Sequence, residues 1–138
     1  MNYLKFDQYL EELTQDYKGK YDYLINRSAL LYRATTKLIS DNDLPRAIRA
    51  KLFAVVGYFV IPDDFYPEEI HGPIGFIDDL MLVIFVFREI LEIESYGKLE
   101  AVYDGDIEDL KRIVEIEYHT LIEENFELYE QVIEFMDF

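Results

Sequence analysis

Two stretches of this chain are apolar on every side: residues 52–61, interrupted only by Gly57, and residues 80–87. A surface helix carries an apolar stripe backed by polar residues, whereas one that is apolar all round has to be buried. At ten and eight residues, both runs fall far short of the roughly twenty that a membrane-spanning helix needs. They therefore predict two central helices, over 44–61 and 78–96, packed as an antiparallel hairpin. With 138 residues in all, the chain has the length of one ordinary domain with one core. The expectation is a single all-α domain over 1–138, a bundle of five or six helices.

Between the runs, residues 61–80 hold three of the four prolines, two of the six glycines, His71 and six carboxylates. Pro62 stops the first helix. Asp78 and Asp79 open the second, where carboxylates are favoured by unpaired amides and the helix dipole.

The flanking segments read as amphipathic helices. Tyr3, Phe6, Leu10, Leu13 and Tyr17 recur at spacings of three and four up to the break at 18–20. A second helix is expected over 22–39, ended by the turn-forming run 40–43. Asp43 is the expected N-cap of the next helix, with Pro45 in its first turn. Gly57 is read as the mark of a close helix crossing, and Gly97 as the C-cap of the fourth helix. Residues 98–105 read as a connector. Asp106 is the expected cap of the last helical region, with Asp109 completing a variant capping box. From there apolar positions recur to Met136, in one long helix or in two hinged near Asn125. No strand signal, repeat or low-complexity tract is visible.

Half of the residues are hydrophobic, and twelve Tyr with ten Phe set the chain apart from disordered sequences. Absence of cysteine rules out disulfides, thiolate metal sites and cysteine nucleophiles. The first residues lack an apolar signal core, which predicts a cytoplasmic protein. Net charge is −16 and uneven: residues 1–61 carry nine Lys or Arg against seven Asp or Glu, residues 62–138 four against twenty-two. Such an acidic half repels nucleic acid and anionic lipid and attracts basic partners or divalent cations. Solvated acidic faces, or acidic helices beside basic ones, account for the same asymmetry.

The loop residues Pro62-x-Asp64-x-x-Pro67-Glu68, followed by Gly75-Phe76-Ile77-Asp78-Asp79-Leu80, resemble the signature of the YkvA-like domain, a small helical domain of unknown function. The resemblance covers roughly residues 52–89. It departs where Glu68 replaces the usual Asp and where residues 69–73 lengthen the link. What it implies is a helical hairpin, and no reaction.

Two interpretations of the loop acids stand side by side. In one, Asp64, Asp78 and Asp79, with Glu68 or His71, converge on a divalent cation such as Mg²⁺, Mn²⁺ or Ca²⁺, whose bound water would serve hydrolysis. In the other, Asp78 or Asp79 caps a helix and Asp64 accepts backbone N–H bonds within the turn. Glu115, His119 and Glu123 share a helix face but lack the three-residue Glu-to-His spacing of di-iron carboxylate bundles, and read as a solvated face. There is no paired nucleophile for a Ser-His-Asp arrangement and no Gly-rich phosphate loop. Tyr3, Tyr9, Tyr17, Tyr21, Tyr23 and Tyr32 point to the rim of a core or to an interface, with self-association through the first helix. The reading is thus a non-enzymatic helical module working through protein contacts and homo-oligomerisation. A divalent-metal-binding protein or metal-dependent hydrolase centred on Asp64, Asp78 and Asp79 is the alternative, and an acidic decoy for a basic partner a third.

Overall fold

The structure, a computed structural model, describes residues 5–61 and 72–138. Its elements in chain order are α1 (Phe6–Thr14), α2 (Asp22–Ile25), α3 (Ser28–Ile39) and α4 (Arg46–Val60), then a 3₁₀ turn (Gly72–Phe76) leading into α5 (Ile77–Ile93). After α6 (Tyr96–Glu100) come α7 (Ile107–Arg112), a π-helical segment (Ile113–Glu117), α8 (Tyr118–Glu124) and α9 (Phe126–Met136). No strand occurs among the described residues, and no helix there is long and apolar enough to cross a membrane. The all-α bundle expected from the periodicity is observed.

α5 is the axis. Each residue from Ile77 to Ile84 is buried, as are Val86, Phe87 and Ile90. α2, α3, α4, the π segment, α8 and α9 pack around it, which is why its sequence shows no polar face. α4 lies antiparallel to it: Tyr58 meets Asp78 at one end of the pair, and Lys51 meets Glu89 at the other. Residues of α1, α3, α4 and the 3₁₀ turn close the core with a ring cluster. Phe6 and Tyr32 lie 5.3 Å apart, Tyr32 and Phe59 5.3 Å, and Phe59 and Phe76 6.4 Å.

Several local expectations are corrected. The helix expected over 22–39 is broken at Asn26 and Arg27 into α2 and α3. Asn26 Nδ2 donates to the carbonyls of Thr14 (2.7 Å) and Tyr17 (2.9 Å), satisfying the end of α1, and Ser28 Oγ donates to Ile25 O at 2.7 Å. Asp43 does not cap α4. Pro45 occupies the N-cap position, with no side-chain cap, and Asp43 instead gives its N–H to Asp41 in a local turn at 2.9 Å.

Gly57 marks no close crossing, since no described atom lies within 4 Å of where a Cβ would stand. Nor does Gly97 end a helix. α5 stops at Ile93, and Gly97 sits in the first turn of α6, its N–H held by Ser95 Oγ at 3.3 Å. The stretch expected as a connector thus contains most of α6, whose Leu99 is buried.

Asp106 caps α7 as expected, accepting from the Glu108 N–H at 2.9 Å. Asp109 closes no capping box; its carboxylate accepts from the Tyr23 hydroxyl at 2.8 Å and pairs with Arg27 at 3.3 Å. The expected hinge near Asn125 is observed, with Asn125 at φ −135° and ψ 42° between α8 and α9.

Candidate functional site

Of the residues proposed to converge, only Asp78 and Asp79 are among those described. Asp64, Glu68 and His71, like Tyr3 of the aromatic set, lie outside the described residues. Asp78 and Asp79 lie in the first turn of α5 with relative exposures of 0% and 1%. The capping position belongs to Phe76, with no side-chain cap, because the 3₁₀ turn runs straight into the helix. Asp78 Oδ1 nevertheless accepts from the Asp79 N–H at 3.1 Å, serving one of the amides a helix start leaves free. Asp78 Oδ2 accepts from the Tyr58 hydroxyl at 2.7 Å, tying the ends of α4 and α5 together.

Burial pushes the Asp78 carboxyl up to about 6, against the opposing influence of the Tyr58 and Asp79 hydrogen bonds. Desolvation outweighs them because a charge withdrawn from water costs more than one or two bonds return. Chemically, this is a buried carboxyl that can hold a proton in mildly acidic solution. Among the described residues no group of three or more His, Asp and Glu is arranged to hold a metal ion.

A second region surrounds Arg88. The π segment displaces the helical register, and Arg88 Nη1 donates to the Val114 carbonyl there at 2.8 Å, while the guanidinium lies 5.0 Å from the Tyr118 ring centre. Beside it, a depression of about 280 Å³ is lined by Arg88, Leu91, Glu92, Tyr96, Val114 and Glu115. Tyr96 donates its hydroxyl to Glu115 at 3.0 Å, and burial, reinforced by that acid, pushes the phenol up to about 12. Burial raises Tyr118 as well. Both phenols therefore stay protonated at neutral pH and act as hydrogen-bond donors, not as bases. Glu115, His119 and Glu123 are all exposed, in keeping with a solvated face.

The third feature escaped the sequence reading. The run 52–61, expected to be buried all round, is bare on one side: Phe53 is 63% exposed and Ile61 56%. These residues, with Val56, Gly57 and Val60, line a shallow apolar depression of about 170 Å³ whose floor is the Gly57 backbone. Ala50 is also exposed, and spacings of three and four put Ala50, Phe53, Gly57 and Ile61 on one face. The signal available in the sequence was the pair of small residues, Ala50 and Gly57, along one stripe.

The central hairpin is also what other proteins share with this chain. Residues 48–85 match the model of a family described as a protein of unknown function (DUF1232), so the resemblance to the YkvA-like domain drawn from the loop residues is borne out. The match runs from the second residue past the start of α4 into the middle of α5. Over 97 residues it is 30% identical to the uncharacterized protein ORF9 of Methanothermobacter thermautotrophicus, an alignment spanning 70% of this chain and 66% of the relative. It therefore spans just under two thirds of that relative's length. No solved structure matches the chain.

Proposed function

We propose that the chain is a non-enzymatic helical module that works by binding a protein segment along the outer face of α4. The observation that carries this reading is the bare apolar stripe of Phe53, Gly57 and Ile61 on a helix belonging to the family segment. A depression lined without charged residues and floored by glycine suits the close approach of another helix, whose side chains fill the space over Gly57, while Arg46 is exposed at the N-terminal end of the same face. By contrast, Asp78 and Asp79 are turned into the protein. Self-association through α1, the other interaction surface considered, has less to offer. Leu13 and Tyr9 are only modestly exposed there, and Arg33 ties Asp7 (2.7 Å) and Glu11 (2.8 Å) to α3.

Selection of random displayed peptides on the folded protein tests this reading. Enriched peptides are expected to lose binding to Phe53→Asp and Gly57→Gln variants and to keep it with Leu13→Asp. All three positions are accessible, so stability should change by no more than about 0.5 kcal/mol. Peptides that ignore the α4 substitutions and respond to Leu13→Asp would move the surface to α1.

A further inference from the structure

The C-terminal helical region is pinned at Asn125 and held more lightly beyond it. Tyr21, just before α2, donates its hydroxyl to Glu124 at 2.7 Å. Asn125 Nδ2 donates to that hydroxyl at 2.8 Å and to the Leu121 carbonyl at 3.0 Å. The end of α8 is thereby tied to the N-terminal part of the fold. Past the break at Asn125, only Val132 of the eleven residues of α9 is buried, and among the described residues no ion pair reaches this helix. A 3.3 Å bond joins the Tyr118 and Tyr129 hydroxyls near its start. Further along, the Phe135 ring meets Tyr58 at 6.3 Å, the Phe138 ring stacks on Phe85 at 5.7 Å, and Lys51 Nζ lies 5.3 Å from the centre of the Phe138 ring. Beside its first turn a cleft of about 290 Å³ is left between Tyr129, Tyr118 and the α5 residues Phe85, Arg88 and Glu92.

The helix is also weakened from within. Its last turn contains Glu134 and no basic residue, although a helix C-terminus favours cations. Asp137 closes it at φ 58° and ψ 43°, a conformation that costs any residue but glycine. Glu127, Glu130 and Glu134 recur at spacings of three and four, which sets like charges one turn apart. Residues 113–138 hold eight Asp or Glu and no Lys or Arg to offset them. What keeps α9 in place is therefore a short row of apolar contacts that ends on Phe138.

We propose that α9 is a flap: residues 126–138 swing away together about Asn125 while α8 stays in place, baring the α5 face around Phe85 and opening the adjoining cleft. Helices with few buried apolar contacts are the ones that open below the free energy of global unfolding. The pinned end of α8 sets the fixed side of the movement, and the break at Asn125 sets its axis. The seat so vacated is already shaped for an amphipathic helix, because it holds one. The device thus alternates between a filled and an empty helix-binding groove, and it stands whether or not the outer face of α4 binds a partner.

Amide hydrogen exchange of the full chain, followed by NMR in low urea, tests this. The amides of α9 are expected to share one opening equilibrium, about a hundredfold or more favourable than that of α5, and to depend only weakly on urea. Phe138→Ala should raise the opening of all of them by a common factor of about ten. Ile25→Val, at a buried position of α2, should speed the exchange of α5 several-fold through global unfolding and leave that of α9 unchanged. If α9 follows α5 in urea and in Ile25→Val, the two form one cooperative unit and the proposal fails. A gradient of exchange rising towards Met136, with Phe138→Ala affecting the last turn alone, would mean ordinary fraying and also overturn it. Opening of α8 together with α9 would remove the hinge from Asn125 and overturn it as well.

Discussion

Asp78 is where residue chemistry weighs most on the fold. Its carboxyl is raised to about 6 in the folded chain by burial, against about 3.9 in an unfolded one. Between those values the folded state keeps a proton the unfolded state has lost, so stability falls as pH rises through the window. The cost is complete above pH about 6, absent below about 4, and amounts to about 3 kcal/mol. Asp78→Asn keeps an acceptor for the Tyr58 hydroxyl and removes the titration. Relative to that variant, the parent chain is expected to lose about 1–3 kcal/mol between pH 4.5 and 7.5 in urea unfolding; parallel pH profiles would show that Asp78 does not titrate in this range. The sequence marked Asp78 and Asp79 as unusual, yet their burial was not legible. Carboxylates at a helix start are ordinarily solvated, and here the packing of other elements around the start of α5, Tyr58 of α4 among them, takes them out of water.

At the scale of elements, the C-terminal rod of α7, the π segment and α8 depends on a residue from α5. A π turn changes the register of carbonyls, and Arg88 meets that of Val114 while its guanidinium covers Tyr118. Arg88→Met keeps most of the apolar stem and removes the donor. It should cost about 1–3 kcal/mol in urea unfolding, the usual penalty for stranding a buried partner; a loss below about 0.5 kcal/mol would mean that water takes over the bond. The π segment was invisible beforehand because its i to i+5 bonding leaves no spacing signature in the apolar positions. The break at Asn26 was hidden for another reason: the carbonyls it serves, that of Thr14 at the end of α1 and that of Tyr17 just past it, are distant in sequence and are brought to it by folding. The α4–α5 hairpin, by contrast, was legible, since all-round apolar runs have nowhere to go but the centre. Which side of α4 stays bare is a matter of how the other helices are arranged around α5, and no pattern within α4 reports it.

For the whole molecule, charge is unevenly compensated. Among the described residues, Arg27, Arg33, Lys37 and Lys51 of the first half form ion pairs, and surface pairs of this kind contribute at most about 1 kcal/mol each. Glu127, Glu130 and Glu134 of α9 repel one another, and among the described residues none of them forms an ion pair. Raising ionic strength from about 0.01 to 0.3 M shortens the reach of that repulsion severalfold, and the melting temperature is expected to rise by a few degrees. A fall would show that the paired charges outweigh the unpaired ones. The central position of α5 also bears on how the chain is made. Synthesis delivers the N-terminal part first, so α2, α3 and α4 are available to cover α5 as it emerges, but α8 and α9, which close its other side, follow only from residue 118 on. For the time it takes to translate those last helices, the most apolar segment of the protein has one flank open to water, and a nascent chain stalled between 93 and 118 would be sticky in a way the finished molecule is not.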